Sequence, residues 1–145
     1  MRTVFLVVTL LMLSGCLDGR ADVIATSWRN DIAVQGWDIV SFYQGEPQRG
    51  DADFVQEYAG AEWRFATQAN RDVFAFNPEA FQPEYGGYCA WALGHNKLAR
   101  GNPEYWTMLD GKLYFNFNDR TDRLWTLGRE GWIARANAFW PGVLG

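Results

Sequence analysis

The sequence is poor in the residues that catalytic and metal sites most often use. Its 145 residues include two cysteines and one histidine, and no pair of cysteines has the spacing of a zinc site. No glycine-rich phosphate loop, Ser-His-Asp set or closely spaced pair of carboxylates is recognisable. These absences leave few side chains on which an enzymatic reaction could depend.

An apolar run at the N-terminus has the features of an export signal. Met1-Arg2 gives a positive start, Thr3 to Leu13 is apolar, and Leu13-Ser14-Gly15-Cys16 follows. The run is too short to span a bilayer as a stable helix. Leu-Ser-Gly-Cys resembles the lipobox of bacterial lipoproteins, which implies that residues 1–15 are removed and that Cys16 carries lipid on its sulfur and its amine. The alternative is an ordinary secretory signal with an incidental cysteine.

Charge indicates which partners the mature chain can have. Without residues 1–15 it has 12 basic and 17 acidic residues (12 − 17 = −5), so nothing attracts it electrostatically to nucleic acid or to anionic head groups. We therefore predict that acyl chains on Cys16 attach it to a membrane. The predicted location is the periplasm-facing side of a bacterial envelope membrane, inner or outer, where another envelope protein is a candidate partner.

Lipidation of Cys16 would leave Cys89 with no partner for an intrachain disulfide. The domain must then be held together by packing, and eight Trp, six Tyr and ten Phe supply large side chains for it. Residues 16–27 are polar and small and predict a tether, so we place the domain at residues 28–145.

Two hairpins and several short helices are predicted within this domain. Asp110-Gly111 fits a type I′ turn between two apolar segments, and alternation on either side of Ala59-Gly60 indicates a second hairpin. Thr67 is predicted to cap a helix. Asn-Pro-Glu occurs at residues 77–79 and again at 102–104, which we interpret as reuse of a helix cap and not as a repeat architecture. The predicted fold class is α+β, a small antiparallel sheet of two hairpins packed with three or four short helices.

Several motifs, in order along the chain, resemble the YHS domain family, and the later ones its extracytoplasmic branch. They are Gly36 to Tyr43, Tyr58 to Thr67, Asn70 to Phe74, Asn77 to Phe81, Gly86 to Ala90, Asp110 to Tyr114, and Trp140-Pro141. The resemblance implies a small α+β domain with an antiparallel sheet and packed helices. Some YHS domains are suspected of binding metal through cysteines in the opening motif and after the second strand. This chain has Gly36-Trp37-Asp38-Ile39 at the first place and Ala66 and Asn70 at the second, so those metal positions are not carried over.

Cys89 is the one cysteine expected to keep a free thiol, and it has two interpretations. It can be a small buried hydrophobe among aromatic neighbours, or a thiolate at a helix N-terminus, where backbone amides lower the thiol pKa. Gly86 and Gly87 before it would let a ligand or another chain approach the backbone. We predict ligand contacts at Cys89, Gly86, Gly87, Tyr88 and Asp38, although a cap or turn role for Asp38 is the simpler interpretation.

His95 is the only histidine and lies six residues after Cys89. On an exposed connection it can be an ordinary solvated side chain. Paired with Cys89 it could contribute to a Cu or Zn site, although two ligands make a weak metal site. The same pair is the basis of an alternative function, a thiol-dependent redox or metal-delivery enzyme, which would require contact between nucleophile and base.

These observations lead to one main hypothesis and two alternatives. The main hypothesis is a lipid-anchored envelope protein of YHS type that acts as a non-enzymatic binding module, with a metal ion as the first candidate ligand. The alternatives are the thiol-dependent enzyme and a structural envelope protein that binds a protein partner.

Overall fold

A computed structural model describes residues 23–27 and 29–144 of the chain. The predicted signal peptide, Cys16 and residues 16–22 of the predicted tether lie outside the described residues. Within the described ranges, none of the helices combines the length and the apolar character that a membrane span requires.

The described part of the chain contains five α-helices and four β-strands. They are α1 (Ile39–Tyr43), β1 (Asp51–Tyr58), β2 (Ala61–Phe65), α2 (Gln68–Phe76), α3 (Ala90–Gly94), β3 (Asn102–Leu109), β4 (Lys112–Asn116), α4 (Asp119–Leu127) and α5 (Arg129–Phe139). Short 3₁₀ segments occur at Val34–Gly36, Pro78–Phe81, Glu84–Gly87 and Trp140–Gly142. The α+β class predicted from the sequence is confirmed, with five helices in place of the three or four expected.

The two predicted hairpins are present, but each forms its own two-stranded sheet. β1 pairs antiparallel with β2, and β3 with β4, each with a register shift near its start. Other segments cover the outer edges of the sheets. Glu62 of β2 bridges Ile32, and Phe115 of β4 bridges Cys89. Because these segments pair with the edge strands, the hairpins do not join into the single sheet expected from the sequence.

The same order of elements occurs twice, at a spacing of 51 residues. α1 and α3 are one such pair (90 − 39 = 51), and β1 and β3, β2 and β4, and α2 and α4 begin and end at the same spacing. Backbone conformations recur as well, since Val34–Gly36 have φ values of 50°, 50° and 80°, and Tyr85–Gly87 of 56°, 61° and 90°. Both hairpin turns, Ala59-Gly60 and Asp110-Gly111, have positive φ at two residues. Most of the domain therefore consists of two copies of one unit. The Asn-Pro-Glu recurrence is not part of this repeat, and the helix cap expected at residues 102–104 is wrong, because β3 begins at Asn102.

Backbone hydrogen bonds recur together with the elements. Asp38 N donates to Gln48 O at 2.9 Å, and at the equivalent positions Cys89 N donates to Ala99 O at 2.8 Å. Two more bonds recur in the same way. The bond from Gly50 N to Gly36 O recurs as Gly101 N to Gly87 O, and the bond from Glu46 N to Ser41 O recurs as Lys97 N to Ala92 O. The two copies thus share their local backbone pairing as well as their element order.

Two packed clusters of buried side chains form the core. The first surrounds Phe74 and takes Leu113 and Phe115 from the second copy, and the second surrounds Trp125. Phe74 and Trp125 occupy equivalent positions, and each is the buried residue of its helix. Among the described residues, Trp125 Nε1 is the one buried side-chain nitrogen or oxygen without a hydrogen-bond partner, whereas its counterpart has no such group to satisfy.

Residues 23–27, which the sequence assigned to the tether, pack on the domain. Ile24 is 1% exposed, and Ala25 N donates to Gly86 O at 2.8 Å. Thr26 forms an antiparallel bridge with Ala33. Burial and backbone pairing together fix this segment, so the packed domain includes it.

Candidate functional site

Cys89 is the N-cap of α3, and its thiol is closed off from solvent. The residue is 0% exposed. Sγ accepts a hydrogen bond from Ala92 N at 3.5 Å and donates one to Asn116 Oδ1 at 3.7 Å. Burial raises the pKa of the thiol, and hydrogen bonds from backbone amides and from the Thr121 side chain oppose this increase only in part. A neutral and buried thiol is a poor nucleophile and a poor metal ligand.

Asp38 occupies the equivalent position in the first copy and shows what this position does. It is 0% exposed and is the N-cap of α1. Its Oδ1 accepts from Val40 N at 2.9 Å and from Ser41 N at 3.3 Å. Its Oδ2 accepts from Ala66 N at 2.9 Å and from Asn70 Nδ2 at 2.6 Å. The cap role expected for this residue is confirmed, and both of its oxygens are already engaged within the protein.

The surroundings of Cys89 in the second copy correspond to those of Asp38 in the first copy. The backbone of Phe117 and the side chain of Thr121 act to lower the pKa of its thiol. These residues lie 51 positions after Ala66 and Asn70, the partners of the Asp38 carboxylate. Through its hydrogen bonds with Ala92 N and Asn116 Oδ1, the thiol caps a short helix and ties it to the end of β4, which is a structural role.

The glycines and the tyrosine of the predicted contact set are also used inside the molecule. A Cβ on Gly86 would lie 1.8 Å from Val23 O, and the carbonyl of Gly87 accepts a backbone N–H at 3.0 Å. Tyr88 is half-buried, with its ring centroid 5.6 Å from that of Trp140. The close approach predicted at the glycines does occur, but the approaching segment is the N-terminal part of the domain itself.

His95, just after the last residue of α3, is the exposed side chain of the predicted set. Its imidazole packs against two indoles, with centroid distances of 4.0 Å to Trp91 and 4.4 Å to Trp132. Nδ1 lies 2.9 Å from Trp91 O. A carbonyl oxygen can only accept, so Nδ1 carries a hydrogen. Nε2 is therefore the ring nitrogen available to a ligand.

A surface groove with a volume of about 590 Å³ lies beside this imidazole. Its lining residues are Gly94, His95, Asn96, Arg135, Ala138 and Phe139. The guanidinium of Arg135 lies 4.9 Å from the centroid of the Trp132 ring. Among the residues that the structure describes, Arg135 forms no ion pair, so its charge is available to a ligand. The groove thus combines an imidazole, a guanidinium and an amide with an apolar wall.

Two differences between the copies create this groove. In the first copy the ring of Tyr43 packs 5.4 Å from that of Phe81. The equivalent residues of the second copy are Gly94 and Trp132, and a Cβ on Gly94 would lie only 3.0 Å from the indole Cε3. The missing side chain therefore lets Trp132 lie against α3. In addition, the longer helix α5 replaces the 3₁₀ turn that follows α2, and it carries Arg135.

The structure does not bring Cys89 and His95 together as a pair. They flank α3 at its opposite ends, about 9 Å apart along the axis at about 1.5 Å per residue, and one is buried while the other is exposed. In addition, the described residues contain no group of three or more His, Cys, Asp or Glu side chains that could hold a metal ion. A Cu or Zn site at this pair would need ligands from elsewhere.

Sequence analysis missed Trp132 and Arg135 as site residues. Both belong to α5, and the aromatic residues of the domain were expected to pack in its core. Their spacing of three places a cation beside an indole on one helix face, which is a local signal that could have been noticed. What the sequence did not reveal is that this helix packs on α3, beside His95.

Comparison with known proteins adds no assignment to these observations. No family model, curated protein or solved structure matches the chain, so the resemblance to YHS domains rests on the sequence motifs alone.

Proposed function

We propose that this protein is a lipid-anchored, non-enzymatic binding module of the bacterial envelope, related to YHS domains, and that its ligand contacts lie in the groove beside His95. The observation that carries the proposal is an exposed imidazole with one ring nitrogen already bound, next to a guanidinium that forms no ion pair within the described residues. The anchor at Cys16 and the relation to YHS domains rest on the sequence motifs.

Binding is favoured over thiol chemistry by the surroundings of the two candidate residues. An enzyme that uses Cys89 would need its thiolate to reach a substrate, and that sulfur is buried with a raised pKa. The groove lining offers His95, Asn96 and Arg135 as polar groups. These groups can hold and orient a ligand, and the described part of the lining includes no hydroxyl, thiol or carboxylate that the imidazole could activate.

Divergence of the two copies also supports a function at this groove. Equivalent backbone turns, caps and hairpins are kept in both copies. The change from Tyr43 to Gly94 and the gain of α5 alter one region only, the C-terminal end of α3. Because the two copies are otherwise equivalent, we expect the region in which they differ to have a function of its own.

Photo-crosslinking in cells of the native host tests the proposal. A crosslinking amino acid is placed at Ala138, in the groove wall, or at Ala75, an exposed position on α2. We expect a mass-shifted adduct from the variant at 138 and none from the variant at 75, because both positions are exposed and only one lines the groove. Labelling with a palmitate analogue, lost in Cys16→Ser, checks the anchor.

Other outcomes of these experiments would contradict the proposal. Equal adducts at both positions, or none at either, would argue against a ligand in the groove. Metal retained by the wild-type protein and lost in Cys89→Ser would instead favour a metal ion bound at Cys89, the ligand first expected from the sequence. Palmitate labelling that persists in Cys16→Ser would refute the anchor.

A further inference from the structure

We infer that the groove beside His95 binds small organic anions that carry a carboxylate or a phosphate next to an apolar body. This inference rests on the proposed function and names the class of ligand that the same site takes.

The polar groups of the groove are suited to accepting oxygen atoms with negative charge. Arg135 presents a planar guanidinium, which matches the geometry of carboxylate and phosphate oxygens. His95 can donate from Nε2 when the ring is protonated, because Nδ1 is already bound to Trp91 O. Asn96 adds an amide group at the same rim. All three groups line the same groove and can donate hydrogen bonds to an anionic ligand.

Charge around the groove is positive although the whole chain has a net charge of −4. The described lining includes no acidic side chain. Residues 94–99 carry Lys97 and no Asp or Glu. Glu130 is the carboxylate of α5, and it does not line the groove. This local excess favours an anion over a cation in the groove.

The remaining lining accounts for the apolar part of the ligand. Ala138 and the half-buried Phe139 supply the apolar part of the lining. A volume of about 590 Å³ lies within the range of small-molecule sites, about 300–1,000 Å³. A ligand with an apolar body could cover this apolar lining while its anionic group meets Arg135.

Nitrogen NMR of the full chain tests this inference, because His95 is the only histidine. Labelling histidine with ¹⁵N gives only the two ring signals of His95, so the signals need no assignment to a residue. At constant pH, we expect benzoate or phenyl phosphate to move the Nε2 signal toward that of a protonated nitrogen, with a single-site saturation curve. Benzyl alcohol, which has a similar body and no charge, should leave it in place. The relative affinities of the two anions distinguish a carboxylate ligand from a phosphate ligand.

Two arginine variants make the test specific. Arg135→Gln removes the guanidinium and should weaken binding of the preferred anion at least about ten-fold, as expected for the loss of a charge-assisted hydrogen bond. Arg120→Gln, an exposed change on α4, should leave the affinity unchanged. Equal effects of the two variants, no response to either anion, or an equal response to benzyl alcohol would overturn the inference.

Failure of this inference can be distinguished from failure of the proposed function. An adduct at position 138 without any response to the anions would keep the groove as a binding site and refute the anionic ligand class. Absence of both results would refute both proposals.

Discussion

Asp38 and Cys89 show that side chains of two different chemical types can cap a helix at the same position of the fold. Each is fully buried and caps a five-residue helix. The position requires an acceptor for converging backbone N–H groups, and a carboxylate and a sulfur both provide one. The sequence left open whether the Cys89 thiol is buried or reactive, and its counterpart Asp38 identifies the position as a cap.

Replacing Asp38 by Asn should destabilise the protein although Asn is as good an N-cap as Asp. The amide would present an NH₂ group to Ala66 N and Asn70 Nδ2, which are both donors. We expect urea unfolding to show a loss of about 2 kcal/mol. Asp51→Asn is the matched control, since Asn102 makes the same turn contact at the equivalent position, and its effect should stay within about 0.5 kcal/mol. Equal losses in both variants would contradict this account of the Asp38 site.

The thiol of Cys89 should not react with an aromatic disulfide reagent while the protein is folded. The experiment uses a Cys16→Ser chain, in which Cys89 is the only thiol. Because the sulfur is buried and its pKa is raised, labelling at pH 8 should be at least about 100-fold slower than in urea, limited by local opening. Ala75→Cys provides an exposed thiol for comparison. Rapid labelling of Cys89 in the native state would restore both thiol-based hypotheses.

Elements that depend on local chemistry could be predicted from the sequence, and their assembly could not. Asp110-Gly111 forms the expected turn, and Thr67 caps its helix as expected, because turn and cap residues act within a few positions. The exposure of His95 was expected as well. Its two aromatic contacts and the separation of the two sheets depend on segments that are distant in the chain, and no local pattern encodes them.

Packing of α5 on α3 depends on the absence of a side chain at Gly94. In Gly94→Ala the new Cβ would lie 3.0 Å from Trp132 Cε3 and 3.2 Å from Trp132 O. We expect α5 to be displaced, with a loss of about 1–2 kcal/mol in thermal unfolding and altered ring signals of His95. Gly131→Ala, on the same helix with no atom within 4 Å of its Cβ, should stabilise the protein by about 0.5–1 kcal/mol. A stabilised Gly94→Ala variant would show that the contact is not restrictive.

The repeat is a property of the whole molecule that the sequence conceals. The residues shared at the spacing of 51 include Gly36 and Gly87, Arg49 and Arg100, Gly50 and Gly101, and Gly60 and Gly111. Most of these are glycines at turns or close backbone approaches, which constrain the main chain. Core side chains differ between the copies, and Phe74 and Trp125 belong to different clusters, so a comparison of side chains alone misses the duplication.

Stability of the whole domain should fall in alkaline solution because several buried groups are neutral acids. Burial, followed by the charge of Glu84, raises the pKa of Tyr43 from 10.0 to about 12, and burial raises the pKa values of Cys89, Tyr85 and Tyr114. A raised folded-state pKa gives stability that is complete below the unfolded pKa and is lost as pH rises through the folded pKa. The unfolding free energy should therefore be level at neutral pH and decline from about pH 9, the ordinary range for a thiol.

Cys89→Ser separates the contribution of the thiol from that of the tyrosines. Because serine does not ionise in this range, the decline measured by urea unfolding should begin later in the variant, near the ordinary tyrosine pKa of about 10. Tyr43→Phe should flatten the upper part of the curve, toward pH 12, although it also loses the hydrogen bond from the phenol to Gln82 O at 3.0 Å. That loss lowers stability at every pH, so slopes must be compared and not absolute values. Identical curves for wild type and Cys89→Ser would mean that the thiol ionises as readily in the folded protein as in the unfolded chain, and the buried cap would have to be abandoned.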